Sequence, residues 1–138
     1  MISNDLVQAA LIAKANSTAD IQAHLPSGTI VEYNYQGTEW GYPCGRLDMG
    51  PQSDQSEDTA NCPSWVEFSW YIFSEKSSSK EANQIAGAFV SAFRGLSFTR
   101  NNIKFARVKI LENIPAIRQD VRTWRSQIRC RSLIHLAT

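Results

Sequence analysis

Five basic side chains recur at alternating positions in two segments of the chain. Arg107 and Lys109 lie in one segment, and Arg125, Arg129 and Arg131 lie in the other. Successive side chains of a β-strand point to opposite faces, so this spacing would place each series on one face of a sheet. Such a face could neutralise nucleic-acid phosphates or the carboxylates of another protein subunit. These residues are therefore the first candidates for a functional surface.

The basic side chains belong to a chain that is nearly neutral as a whole. Its 138 residues carry 14 Lys and Arg and 13 Asp and Glu, a formal charge of +1. Residues 1–93 contain 4 basic and 11 acidic groups, a net of −7, whereas residues 94–138 contain 10 and 2, a net of +8. Three interpretations remain open: a solvated sheet face, contact with nucleic acid, and head-to-tail association of copies. The near-neutral total excludes a free polybasic nucleic-acid binder.

Acidic residues are concentrated in a polar segment at residues 50–63, which is predicted to be a long flexible loop. Its carboxylates could bind a hard cation, but the segment lacks the ligand spacing and the glycine of a calcium-binding loop. A second loop is predicted at residues 112–121. Because such loops often carry binding residues, we expect them to contact partner proteins. The loop candidates for partner contact are Trp40, Asp54, Glu57, Asp58 and Pro115.

The residue types that catalysis usually requires form no known motif. His24 and His135 stand outside any nucleophile or metal motif, and no P-loop, GxSxG or HExxH sequence occurs. Three cysteines, at positions 44, 62 and 130, have neither the number nor the spacing of a disulfide framework or a zinc site. They are typical of a reducing cytoplasm, although Cys44 and Cys62 could approach each other across one loop. The sequence predicts no enzyme activity, no metal and no cofactor.

Hydrophobic spacing predicts the elements that would position the basic residues. The expected helices cover residues 4–15, 18–25 and 79–94, and the expected strands cover 29–34, 43–49, 64–74, 96–100, 103–110 and 122–136. Most of these strands follow one another without a crossover helix, which favours a mostly antiparallel sheet. The predicted class is α+β, with N-terminal helices and one long helix packed on a sheet face. The length fits a single domain over residues 1–138.

No part of the sequence resembles a membrane segment or a leader. No run of about 18 apolar residues occurs, which is the length needed to cross a bilayer. Residues 1–6 lack the basic and long apolar regions of a signal peptide. We therefore expect no membrane partner.

The order and lengths of these segments resemble those of a known family. The comparison covers nearly the whole chain and rests on a helix at 5–11, a strand at Tyr42–Gly50, an aromatic strand at Val66–Phe73, a helix at Glu81–Phe89 and a basic final strand at Trp124–Arg131. In this order the segments resemble the tail terminator, or tail-completion, proteins of long-tailed bacteriophages.

That resemblance implies a virion structural protein without enzymatic activity. It implies a homohexameric ring that caps the tail tube protein, stops tube polymerisation and receives a neck or head-completion protein. DNA would pass through the lumen without sequence-specific binding. The location implied is the tail–neck junction of the virion, after assembly in the host bacterial cytoplasm. The five basic residues would then lie at the subunit interface or in the lumen. Another neck component, such as a head-completion or stopper protein, and a small nucleic-acid-binding module remain alternatives.

Overall fold

The computed structural model describes residues 2–26, 28–33, 41–54 and 63–137, without the side chain of Asp54. The described helices are α1 (Asn4–Asn16), α2 (Ala19–Gln22) and α3 (Lys80–Phe93). The described strands are β1 (Ile30–Glu32), β2 (Cys44–Asp54), β3 (Ser64–Ser74), β4 (Phe98–Arg100), β5 (Ile103–Arg118) and β6 (Trp124–Leu136). The predicted order of helices and strands is confirmed over these residues.

The six strands form one sheet in the order β1-β2-β3-β6-β5-β4. Every neighbouring pair is antiparallel except β1 and β2, which run parallel. The long pairings are β2 with β3, β3 with β6 and β6 with β5. After β3 the chain passes through α3 to the edge strand β4, and β5 and β6 then return in sequence until β6 pairs with β3. The predicted α+β class with a mostly antiparallel sheet is confirmed.

One face of the sheet forms the hydrophobic core beneath the helices. Strand β3 alternates as its sequence predicts: Val66, Phe68, Trp70 and Ile72 are buried, and the intervening side chains up to Tyr71 are half-buried. The Trp70 ring lies 4.9 Å from the Phe89 ring of α3 and anchors that helix to the sheet. Close aromatic packing of this kind adds to the free energy gained from burying the rings.

Helix α3 packs on the central strands β3, β6 and β5. Its apolar stripe is buried as predicted, and Gly95 follows the helix at a φ of 68°, in the left-handed region that favours glycine. At the other end of the helix, the Asn83 side-chain oxygen accepts a hydrogen bond of 2.9 Å from the Ala116 N–H of β5. Helix α1 contacts β1, β2 and β4, so it crosses the sheet from one side to the other. Among the described residues, no helix has the length and apolar character that a bilayer span requires.

The predicted loop at residues 112–121 is wrong. Strand β5 continues to Arg118, which pairs with Trp124, and only residues 119–123 form the turn. Proline and polar residues weaken the strand signal here. Pro115 is tolerated because it lies in a ladder irregularity between Ile114 and Ile117, where its missing N–H removes no regular ladder bond.

The prediction also placed the start of the loop at residues 50–63 too early. Strand β2 extends to Asp54, with an irregularity between Met49 and Gln52. The extension is stabilised by Gln52, whose side chain bonds to the backbone of Ile2 at its N–H (3.2 Å) and C=O (2.9 Å). Pro43 precedes β2 rather than opening it, after a cis bond to Tyr42.

Candidate assembly surface

The sheet face turned away from the helices carries most of the charged side chains of the central strands. Residues directly opposite each other on paired strands share a face, so the register groups these side chains into cross-strand rows. We call this surface the open face; it consists of Arg46, Asp48, Glu67, Ser69, Tyr71, Lys109, Glu112, Arg125, Gln127, Arg129 and Arg131. Four of the five predicted basic residues therefore share one face.

Acidic residues lie among the cations of the open face. One row runs Asp48, Ser69, Arg129, Glu112, and Arg129 forms an ion pair with Glu112. In the next row Arg131 stands between Glu67 and Lys109. The Arg129 and Glu112 side chains are 40% and 48% exposed, so their pairing contributes at most about 1 kcal/mol to stability. Its larger effect is to cancel charge on this face.

Aromatic rings hold two of the arginines against the sheet. The Arg131 guanidinium lies 4.2 Å from the centre of the Trp65 ring, and that of Arg125 lies 5.3 Å from the Tyr71 ring. Guanidinium groups stack favourably on aromatic faces. Burial, followed by the nearby Asp48 carboxylate, raises the pKa of Tyr71, so this hydroxyl stays neutral. The arginines therefore lie across the surface of the sheet.

A shallow depression of about 240 Å³ lies in the middle of the open face. Its polar lining includes Asp48, Glu67, Ser69, Tyr71 and Arg129. Both signs of charge meet in it, so it has no strong preference for an anion or a cation. The floor reaches Cys130, and burial raises the pKa of this thiol to about 12. A thiol with such a pKa is a poor nucleophile at neutral pH.

Arg107 does not join the open face, contrary to the prediction from alternation. Ala106 pairs with Leu133 and Lys109 with Arg131, so Arg107 and Val108 occupy a bulge between them. Arg107 adopts a φ of 41°, and its N–H donates a 2.9 Å hydrogen bond to the Ser97 hydroxyl oxygen. A bulge redirects side chains, and this one turns Arg107 away from the row that Lys109 continues.

The bulge forms one wall of a second depression, at the end of α3. It measures about 420 Å³ and is lined by Arg94, Gly95, Arg107, Val108, Lys109 and Ile110. Two backbone hydrogen bonds of 2.8 Å fix it, from Gly95 N–H to Val108 C=O and from Val108 N–H to Leu96 C=O. We call it the basic depression, because three cations and no carboxylate line it.

The turn between β5 and β6 is ordered by its own side chains. The Asp120 carboxylate accepts hydrogen bonds from the N–H groups of Arg122 (2.8 Å) and Thr123 (2.9 Å). The first of these bonds is the main cause of the lowered pKa of Asp120. The Arg118 guanidinium lies 5.3 Å from the Trp124 ring, and Val121 at the tip is 84% exposed. The hairpin tip is a preorganised projection with an apolar end.

Of the five predicted loop contact residues, the structure describes the positions of two. Trp40, Glu57 and Asp58 lie outside the described residues, as does Cys62. Asp54 ends β2 opposite Ser64, and Pro115 lies within β5 rather than in a loop. The proposed proximity of Cys44 and Cys62 thus remains a prediction.

The histidines lie at the periphery of the described structure. His24 is exposed after α2, and His135 is half-buried near the end of β6. Within the described residues, no three His, Cys, Asp or Glu side chains are grouped as metal ligands.

Three features of these surfaces were not predicted from the sequence. The sequence predicts Arg94 only as the last residue of a helix, whereas in the structure it lines the basic depression. Arg46 is only 4% exposed and approaches the Glu32 carbonyl oxygen at 3.5 Å. Glu67 lies at alternate positions with Trp65 and Tyr71 in β3, so the three side chains lie on the side of the open face. The alternation of residues in β3 is enough to place Glu67 on the open face. The burial of Arg46 and the position of Arg94 depend on tertiary packing.

Solved structures with the same fold exist, although no protein-family model and no curated protein matches the chain. A chain from the virion of a native gene transfer agent particle is 16% identical, with a TM-score of 0.71 over 96% of this chain and 99% of that one. A second solved chain, whose name states no function, is 18% identical, with a TM-score of 0.69 over 99% and 98%. At these identities the similarities show that this chain adopts, over nearly its whole length, a fold that also occurs in a virion particle.

Proposed function

We propose that the chain is a phage virion structural protein that forms a ring on the end of the tail tube. The ring stops tube polymerisation and joins the tail to the neck or head-completion protein. The observation that carries this proposal is the end-to-end similarity of the fold to a chain from a gene transfer agent virion. Coverage of both chains is nearly complete, so the similarity extends beyond a shared sheet motif.

The charge pattern of the open face suits a channel through which DNA moves. Four cations that reach solvent, Lys109, Arg125, Arg129 and Arg131, share the face with Asp48, Glu67 and Glu112, a net of one positive charge. Each neutralised phosphate strengthens binding and makes it steeper in salt. A nearly balanced face attracts DNA weakly and lets it slide. We therefore assign the open face to the lumen of the ring.

The proposed mechanism of capping is geometric. One side of the ring would match the last ring of the tube, and the other side would bind the neck protein instead of another tube ring. The β5–β6 tip, with its exposed Val121 and its internal hydrogen bonds, has the rigidity that a docking projection requires. This role is architectural and requires no catalysis and no cofactor.

The experiment is co-assembly with the tail tube protein of the same genome. The purified chain carries a gold-binding tag and is added to growing tubes, which are imaged by electron microscopy. A tube terminator labels one end of each tube and shortens the tubes as its concentration rises. A head-completion or stopper protein leaves tube length unchanged, and a nucleic-acid-binding module labels DNA instead of tubes.

A further inference from the structure

The basic depression is the uncompensated part of the positive region. On the open face the cations stand among carboxylates, as in the ion pair of Arg129 with Glu112. The depression has three exposed cations, Arg94, Arg107 and Lys109. Within the part of the chain that the structure describes, no carboxylate lies at salt-bridge distance from any of them. A recess lined by one sign of charge concentrates ions of the other sign, so the ligand that fits it is an anion.

Arg107 holds an unfavourable backbone conformation at this site. Its φ of 41° lies in the left-handed region, which residues other than glycine seldom adopt. Its N–H donates to the Ser97 hydroxyl oxygen at 2.9 Å, and the two 2.8 Å bonds of Val108 to Gly95 and Leu96 fix the other half of the bulge. Strained backbone and bulges are concentrated at functional sites. Glycine adopts such a φ without strain, so the fold alone does not require an arginine here.

The lining of the depression favours phosphate groups over the surface of another protein. A protein interface is built around an apolar core within a polar rim. Val108 is only 1% exposed and Ile110 is half-buried against the core, so neither provides an open apolar patch. The groups that reach solvent are two guanidinium groups and one ammonium group, the side chains that bind phosphate in proteins. None of the described lining residues is aromatic, so a base has no ring to stack on.

We propose that the basic depression binds the phosphate groups of a nucleic-acid backbone, independently of its sequence. Arg94 approaches the phosphates from the end of α3 and Arg107 from the bulge of β5. Lys109 belongs to the open face as well, so a backbone that lies along that face reaches the depression. The inference goes beyond the proposed function, which requires only that DNA moves past the chain.

The predicted binding is weak, because few phosphates are contacted. Three contacts make log affinity fall by about 2.7 for each unit of log salt, whereas proteins that bind DNA tightly make roughly 6–10 such contacts. Binding of this strength slows DNA at the depression and still lets it leave.

The test is the salt dependence of DNA binding by a variant that alters only the depression. Arg94→Gln/Arg107→Gly removes two cations that do not belong to the open face, and the control Lys76→Gln/Lys80→Gln removes two exposed cations elsewhere. Fluorescence anisotropy is measured with two labelled duplexes of unrelated sequence, between roughly 50 mM and 200 mM salt. The slope should fall by about 1.8 in the depression variant and stay at the wild-type value in the control. At about 50 mM salt the depression variant should bind both duplexes at least roughly tenfold more weakly than the wild type.

Arg107→Gly by itself separates binding from folding. It should weaken DNA binding and leave the urea midpoint of unfolding unchanged or higher, because relief of the strained φ offsets the freedom that glycine gives the unfolded chain. A clearly lower midpoint would show that the arginine serves the fold, and would overturn the inference.

Two other results would also overturn the inference. One is an equal slope in the depression variant and the control, which would mean that only total charge matters. The other is tighter binding of a labelled oligoglutamate than of DNA with the same charge, which would assign the depression to an acidic protein. Capping of tail tubes is measured separately. A protein that caps tubes and binds DNA equally well with and without these arginines therefore keeps the proposed function and loses this site.

Discussion

If the open face lines a DNA channel as proposed, removing two acids from it should strengthen its binding to DNA. The variant Glu67→Gln/Glu112→Gln keeps both side-chain shapes and removes the two carboxylates that stand opposite Arg131 and Arg129. Counted over the charged side chains of this face that reach solvent, which leaves out the buried Arg46, the net charge then rises from +1 to +3. We expect the freed arginines to bind phosphate groups.

The size of the effect follows from counterion release. Each further phosphate contact steepens the dependence of log affinity on log salt by about 0.9, so two contacts add about 1.8. Between roughly 50 mM and 200 mM salt, the variant should lose about 12-fold more affinity than the wild type loses. The stability cost is small, because the Glu112–Arg129 pair is exposed and contributes at most about 1 kcal/mol.

Fluorescence anisotropy with a short labelled duplex at several salt concentrations measures this slope. The matched control is Asp20→Asn/Glu75→Gln, which changes the total charge equally at exposed sites away from the open face. If the control and the variant have the same slope, the open face does not meet DNA. If the wild type already binds DNA tightly and with a steep salt dependence, the acidic residues of the open face do not weaken DNA binding.

Three further predictions concern the fold that supports these surfaces. Asp120→Asn removes a carboxylate whose pKa is lowered in the folded protein, so its ionised form stabilises the fold at any pH above the ordinary carboxyl range. Urea unfolding should therefore show that the variant is less stable than the wild type at neutral pH. The difference should vanish as the pH falls through the lowered pKa. Equal stability of the two proteins at neutral pH would contradict the ordering of the hairpin tip by Asp120. Trp70→Ala opens a cavity beneath Phe89 and Phe93 and should lower the free energy of unfolding by about 3–5 kcal/mol, measured by urea titration; a loss below about 1 kcal/mol would refute a rigid core there. In a Cys62→Ser background, Cys44 and Cys130 should resist a thiol reagent near pH 8 and react on unfolding, because burial raises the pKa of both thiols; rapid labelling of the native protein would show that the sheet opens.

The central strands were predictable because one physical signal governs them. In β3, apolar residues at Val66, Phe68 and Trp70 alternate with more polar ones, and burial follows that period from Ser64 to Ile72. The residues of β6 from Ser126 to Ile134 follow the same rule. Burial of one face specifies register strongly, since a slip by one residue would move every apolar side chain to the other face.

Strand β5 was less predictable because its ladder is irregular. Its register shifts between Ala106 and Lys109, between Ile110 and Glu112, and between Ile114 and Ile117. Each shift changes which side chains share a face, so simple alternation misplaced Arg107. The Asn83 side chain also bonds to the β5 backbone from a helix that lies 33 positions earlier. Such a long-range contact leaves no local trace in the sequence.

The basic depression could not be derived from the sequence for a similar reason. Arg94 ends one element and Arg107 lies in the bulge of another, and they meet because Gly95 and Val108 pair their backbones. The charge difference between residues 1–93 and 94–138 indicates only that cations are in excess in the later part of the chain. Which cations are compensated and which are free is set by the register.

The central claim is that this chain ends tail growth, and tail length measures it most directly. The gene would be deleted from the genome that encodes it, and the particles in the lysate would be measured by electron microscopy, with the plasmid-borne wild-type gene as the control. We predict tails of irregular, often excessive length, without attached heads, and restoration of uniform tails by the plasmid. Tails of normal, uniform length in the deletion lysate would contradict the claim.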